Sequence, residues 1–279
     1  MPVLALDTSA DVAVALLADA PDGPEGPAGP DGAAASLAVP VAGRLLAERR
    51  VTEQRRHAEL LAPMIVEVLT EAGLDRRELS AVVVGTGPAP FTGLRAGLVT
   101  ARTLAFALGI PVHGVCSLDA LAAAAFDAGL APDRDVLVVT DARRREVYAA
   151  RYRRRAVGRR GPGDAADGDR RSDVDEDREQ DVDEDVEQDV ELVSGPGVWF
   201  PAALALDGDL PGVVVVGPGA ALYPEHLTAA AGAPVTVAPA TLARLARVRL
   251  ARGAELPTEP LYLRRPDVTP AAGRKRATG

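Results

Sequence analysis

The sequence is poor in the residues that most often announce a chemistry. Its single cysteine, Cys116, excludes a disulfide framework and a cysteine-built zinc site in 279 residues, and it points to a reducing compartment. Three histidines, His57, His113 and His226, are widely spaced and leave little for a histidine metal cluster. Aromatic residues are only 3% of the chain, and one lysine stands against thirty arginines, which reads as the codon usage of a GC-rich genome. No run approaches the ~20 uninterrupted apolar residues needed to span a bilayer. The opening Met1-Pro2-Val3-Leu4 has no basic stretch, so no secretory leader is expected and the chain is expected in the cytoplasm.

What is present suffices for a large core. Hydrophobic residues are 47% of the chain and charged residues 25%, which excludes a wholly disordered polymer. At this length one large domain or two lobes is the expectation. The net charge of −9 is unevenly spread: Asp164 to Glu191 holds 15 acidic and 3 basic residues, leaving the remainder at +3. Just before it, Arg143 to Arg160 holds 9 arginines and one glutamate.

The acidic block is a degenerate octapeptide repeat, Asp173-Val-Asp-Glu-Asp-Arg-Glu-Gln180 followed by Asp181-Val-Asp-Glu-Asp-Val-Glu-Gln188 and Asp189-Val-Glu191. Like charges at this density bury too little to offset ordering entropy, so residues 154–191 read as a disordered insert. A calcium loop is a weak alternative, because the central glycine and terminal glutamate are not in register. The triplets of residues 21–32 resemble collagen but are far too few for a triple helix, so they read as an enlarged turn. Residues 266–279 read as a disordered tail.

Between these lie regular segments. Val3 to Asp7 and Val12 to Leu17 read as a strand pair, with further strands at Leu37 to Leu46, Ala81 to Gly85, Val112 to Val115, Val136 to Thr140, Glu146 to Tyr152 and Val213 to Val216. Helices are expected over Ala58 to Leu69, with Pro63 forcing a late start or a kink, and over Leu94 to Leu108, Leu118 to Ala128 and Ala240 to Arg252. Each half opens on an apolar strand ending in aspartate, the pattern of an α/β protein with two related lobes. The lobe boundaries are expected at 1–115 and 116–265.

Two acids, Asp7 (followed by Thr8 and Ser9) and Asp141, stand at the carboxyl ends of strands, where ligands gather in open α/β sheets. Facing each other they would hold Mg²⁺ and a nucleotide phosphate; alternatively each orders only its own turn. The densest signal is Gly85-Thr-Gly-Pro-Ala-Pro-Phe-Thr-Gly93, which is neither a Walker loop nor a dinucleotide fingerprint. Thr92 is placed to cap the helix after it. Along that helix Gly93, Gly97, Ala101 and Ala105 form a small-residue stripe that suits either the chain's own sheet or a partner helix.

Taken in order, Leu4-Ala-Leu-Asp-Thr-Ser9, His57-Ala-Glu-Leu-Leu-Ala-Pro63, Gly85 to Gly97, Gly109 to Leu121, Asp141-Ala-Arg-Arg-Arg-Glu-Val-Tyr148 and Pro260-Leu-Tyr-Leu-Arg264 resemble the bacterial TsaB family over about 200 residues. The two low-complexity inserts lie outside the family pattern. The resemblance implies the two-lobed ASKHA (actin/Hsp70/sugar-kinase-like) fold. It also implies a role in making threonylcarbamoyladenosine beside the tRNA anticodon, as the non-catalytic partner of TsaD, with the ATPase TsaE docking on the pair. The catalytic relatives carry two metal-binding histidines four residues apart, at places occupied here by Ser117 and Leu121. No cofactor or metal is therefore expected, and His57 and His113 read as structural.

On that reading the partner seam is expected to use Leu60, Leu61, Met64, Ile65, Val68, Leu94, Gly97, Leu98, Ala101 and Ala105, with a homodimer through the same face when TsaD is absent. tRNA is reached through the complex. A direct tRNA patch at Arg151, Arg153, Arg154 and Arg155 is a further expectation. The alternative from another class is a free-standing nucleotide-binding phosphotransferase or ATPase using Asp7 and Asp141, with Gly217-Pro218-Gly219 as its only candidate second phosphate loop.

Overall fold

The structure is a computed structural model and describes residues 1–18, 44–52, 56–157, 187–206 and 212–264. The collagen-like turn, the body of the acidic repeat and the tail after Arg264 lie outside the described residues.

Strands β1 (Val3–Asp7), β2 (Val12–Ala18), β3 (Arg44–Val51), β4 (Ala81–Gly85) and β5 (Val112–Val115) form one sheet in the order β3-β2-β1-β4-β5. A second sheet has the order β8-β7-β6-β9, built from β6 (Val136–Arg143), β7 (Glu146–Val157), β8 (Glu187–Trp199) and β9 (Val214–Val216). In each, an antiparallel meander is joined on one side by a parallel strand: β4 beside β1, and β9 beside β6. The sheets thus repeat one topology, the α/β arrangement of two related halves.

Strand side chains alternate between faces, and here both faces are covered, which explains the nearly unbroken apolar runs. Leu4, Leu6, Val82 and Val84 face α1 (His57–Ala72) and α2 (Phe91–Leu108). Val3, Ala5, Ala81 and Val83 face a central core shared with Val136, Val138 and Tyr152 of the second sheet. That central layer contains α3 (Ser117–Asp127) and α5 (Pro239–Ala251). Leu137, Val139 and Val147 face outward to a smaller cluster that includes Leu204 of α4 (Pro201–Leu206).

Several expectations are corrected. The third strand is described from Arg44 and runs to Val51, past the expected end at Leu46; residues 37–43 lie outside the described ones. Helix α1 starts at His57 and runs through Pro63. Helix α2 starts at Phe91 with Pro90 as its cap and no side-chain capping bond, so Thr92 lies inside the first turn and is not the cap. The two ends of the stretch read as a disordered insert are paired strand: β7 continues to Val157 and β8 begins at Glu187, with Arg154 opposite Val190 and Arg155 opposite Asp189. Arginine on one strand and acid on the other favour this pairing. Finally, the segment from Leu256 to Tyr262, expected in the second lobe, lies against the first. The Gly114 N–H donates to the Leu256 carbonyl (2.9 Å) and the Leu261 N–H to the Thr86 carbonyl (2.9 Å). Arg102 Nε donates to Thr258 Oγ1 (2.8 Å).

Candidate functional site

The β1–β2 turn forms the centre. Asp7 is buried at the end of β1. Its Oδ1 accepts from the Ser9 N–H (2.8 Å) and hydroxyl (2.5 Å), and its Oδ2 accepts from the Ser117 hydroxyl at the start of α3 (2.6 Å). Burial pushes this carboxyl above the ordinary carboxylate range, against the opposing pull of the Ser117 and Ser9 bonds and the Arg50 charge. The sign follows from linkage: the folded chain holds this proton to a higher pH than the unfolded chain does. The group's contribution to stability therefore declines as pH rises from the unfolded pKa through the folded one.

Two glycines make the turn possible. A Cβ on Gly85 would lie 1.8 Å from Asp7 Oδ2, and one on Gly97 would lie 2.3 Å from Thr8 Oγ1. Thr8 Oγ1 also donates to the Gly93 carbonyl (2.9 Å), fastening the turn to α2. The small-residue stripe of α2 thus faces the chain's own first turn and sheet: Gly97, Ala101 and Ala105 are all buried there.

Beside this turn opens a cleft of about 270 Å³ lined by Thr8, Ser9, His57, Thr92, Asp141 and Arg143, among others. Asp141 lines it, whereas Asp7 does not. The expected pair of facing acids is thereby separated. Asp7 is spent on serines beneath the floor, and Asp141 on its own turn, where Oδ1 accepts from the Arg143 N–H (2.7 Å) and Oδ2 meets Arg143 Nη1 (3.1 Å). The phosphotransferase alternative loses its Mg²⁺ pair by this arrangement. Gly217 and Gly219 pack closely on the backbone of Val139 and Thr140, a structural use of that loop.

Ser117 and Leu121 are buried in the chain, Ser117 on Asp7 and Leu121 in the central core. His57 is buried with Nε2 3.4 Å from the Ala10 carbonyl, while burial lowers the pKa of His113.

The expected partner seam is corrected most. Leu61, Met64, Ile65, Val68, Leu94, Gly97, Leu98, Ala101 and Ala105 are buried against the first sheet, and Leu60 is half-buried on the same cluster. The nine buried ones cannot also face a partner. The apolar side chains these helices do expose are Val66 (62%) on α1 and Val99 (61%) and Phe106 (89%) on α2. Ala62 and Pro63 flank them on α1 and Thr103 on α2, all exposed. The tRNA patch is also corrected. Arg151 and Arg153 both bond Asp135, at 2.8 and 2.9 Å, and Arg154 bonds the Phe126 carbonyl and stacks over that ring. Arg153, although bonded to Asp135, and Arg155 are the exposed ones of the four.

Among the described residues no helix is long and apolar enough to cross a membrane.

Comparison with known proteins bears on this geometry. The model of the family described as TsaD, tRNA N6-adenosine threonylcarbamoyltransferase, matches residues 46–188. An uncharacterised protein of Mycobacterium leprae is 56% identical over 108 residues, 39% of this chain and 28% of that protein. The tRNA threonylcarbamoyladenosine biosynthesis protein TsaB of Haemophilus influenzae is 39% identical over 104 residues, 37% of this chain and 43% of that one. The chain thus spans less than half the length of these curated relatives. The solved structure of YeaZ from Pseudomonas aeruginosa is 27% identical, with a TM-score of 0.63 over 94% of this chain and 99% of that one.

Proposed function

The chain belongs to the TsaD-type threonylcarbamoyltransferase family, among its TsaB members, and from that premise we propose that it is a non-catalytic partner subunit in the synthesis of threonylcarbamoyladenosine in tRNA. It pairs with a TsaD-type catalytic subunit in the cytoplasm, TsaE docks on the pair, and tRNA is met through the complex. Alone, the same face closes a homodimer.

The observation that carries this reading is the outer surface of α1 and α2. Val66, Val99 and Phe106 are large apolar side chains on two adjacent helices, more than half exposed, while the opposite faces are fully used in the core. Large apolar side chains left exposed on two packed helices suit an interaction surface, and two helix pairs packed face to face make a four-helix seam. The absence of own catalysis is supported by Ser117 and Leu121, which serve the Asp7 turn and the core at the two places where the family resemblance puts the metal-binding histidines of the catalytic relatives.

The test is co-elution with the TsaD-type protein on size exclusion. The wild-type chain is expected to elute as a pair. Phe106→Glu combined with Val99→Arg is expected to elute alone, with a melting temperature within about 2 °C of wild type, because exposed positions contribute little to stability. Ala101→Arg, by contrast, is expected to unfold the chain, since Ala101 has no exposed surface. Undiminished pairing by the folded double variant would place the seam elsewhere and overturn the assignment of this face.

A further inference from the structure

Beyond α5 the chain runs on as a strap, residues 256–264, with neither helix nor strand. Polar bonds hold it to the first lobe. The Gly114 N–H donates to the Leu256 carbonyl and the Leu261 N–H to the Thr86 carbonyl, both at 2.9 Å. Arg102 clamps Thr258, with Nε donating to Oγ1 (2.8 Å) and Nη2 to the carbonyl (2.6 Å). Arg95 Nε donates to the Tyr262 hydroxyl (2.9 Å), and the Tyr262 ring lies 5.0 Å from that of Phe91. Two residues later the strap is fastened to the second lobe: Arg264 donates to the Ala142 carbonyl (2.8 Å) and pairs with Glu146.

These last two anchors stand on opposite banks of the cleft. Phe91 lines it from the first lobe, and Ala142 lies between Asp141 and Arg143, which line it from the second. Only Leu263 separates the two anchors, so the strap bridges the mouth. Tyr262, Leu263 and Arg264 meet Phe91 and the β6–β7 turn around a space of about 160 Å³. The first sheet makes room for the strap as well. A Cβ on Gly114 would lie 2.2 Å from the Pro257 carbonyl oxygen and 2.7 Å from Thr86 Cγ2.

Hydrogen bonds and partial contacts do all of this holding, since none of the strap residues 256–264 is buried. Segments with few buried apolar contacts open at a fraction of the global unfolding free energy. We propose that the strap is a releasable clasp, which opens as a unit while both lobes stay folded and which, when shut, sets the width of the cleft mouth. A plain cover for the edge strand β5 would need only the contacts of Leu256 to Leu261. The Arg264 anchor on the other lobe has no part in such a cover. The clasp is a property of the isolated chain and does not rest on its pairing with any partner.

Site-resolved hydrogen exchange of the full chain by NMR tests this. The Gly114 and Leu261 amides, which join strap and first lobe, are expected to share one protection factor. It should lie at least about tenfold below those of Val82 and Val84 in β4. Arg102→Ala is expected to lower Leu261 protection by about three- to tenfold, the weight of one or two hydrogen bonds. A clasp is distinguished by the cross effect. Arg102→Ala also lowers protection across the cleft, in the β6–β7 turn, by about threefold, and Arg264→Ala does so at Gly114 and Leu261. Tyr262→Phe, which removes only the bond from Arg95, acts in the same direction by about twofold. Val82 and Val84 are expected to be unchanged in every variant. Gly114 and Leu261 protected as strongly as Val82 and Val84, or losing protection only in step with them, overturns the releasable strap. Effects confined to the bank on which each substitution lies overturn the bridge between the lobes.

Discussion

Gly85→Ala is expected to lower the melting temperature by about 6–12 °C. The added Cβ would stand 1.8 Å from Asp7 Oδ2, 2.8 Å from Ser117 Oγ and 2.9 Å from the Asp7 carboxyl carbon. None of these is the loose end of a mobile side chain: Asp7 and Ser117 are both buried and bonded to each other. Either β4 moves away from β1, to which it is paired in parallel register, or the carboxyl turns out of its three hydrogen bonds. Overpacking costs about 1–3 kcal/mol and breaking a buried, satisfied polar cluster adds about 1–3 kcal/mol. At about 2–4 °C per kcal/mol for a chain of this size class, a loss near 3 kcal/mol corresponds to that shift. Gly109→Ala is the control. It ends α2 in left-handed backbone with open space around it, so its cost is the backbone term alone, about 1–2 kcal/mol. Equal melting of the two variants would contradict the close packing at Asp7.

Asp189→Ala is expected to cost about 3 kcal/mol, although the residue belongs to a run whose charge density reads as solvated. Asp189 is buried and bridges Arg249 of α5 and Arg252, which caps that helix. Its Oδ1 lies 3.1 Å from Arg249 and its Oδ2 3.1 Å from Arg252. Arg249 also bonds Asp119 Oδ2 (2.7 Å), whose other oxygen accepts from the buried Tyr152 hydroxyl (2.8 Å). Burial alone would lower the Arg249 pKa, but Asp119 and Asp189 together hold it raised. Removing one partner of a buried pair costs about 3–5 kcal/mol because the other charge is stranded; the low end applies because Asp119 remains. Glu191→Ala, two residues on and exposed, is expected to change stability by less than about 0.5 kcal/mol. Urea unfolding of both variants checks the contrast, and a similar small effect in each would mean that Asp189 is solvated and does not bridge the two arginines.

These two sites show where the sequence was legible. Continuous apolar runs announced β1, β2, β4, β5 and β6 closely, because both faces of each sheet are covered and nothing interrupts the runs. The Asp189 network was hidden: its partners Asp119, Arg249 and Arg252 come from α3 and the end of α5, and the like-charge density around Asp189 masked a strand. Strand β8 (Glu187–Trp199) was missed for the same reason.

The partner seam was misassigned for a different cause. Periodicity identifies the apolar stripe of a helix but says nothing of what covers it. The stripe of α1 and α2 is covered by the chain's own sheet, so the surface left for a partner consists of the residues that periodicity sets aside as outward. Phe106 and Val66 were findable only as large apolar residues on that outward face. Arg151 and Arg153 illustrate the same limit, since their neutralising partner Asp135 stands at the start of the adjacent strand, 16 and 18 residues upstream.

The most direct measurement of the central claim is the modification itself, reconstituted from a TsaD-type protein, TsaE, threonylcarbamoyl-adenylate and tRNA. Threonylcarbamoyladenosine would be quantified by mass spectrometry with both subunits, with this chain omitted, and with this chain as the only transferase candidate. The expected result is product when both subunits are present and none from either alone. Product from this chain alone would contradict the non-catalytic assignment, and product independent of this chain would contradict its role as a partner.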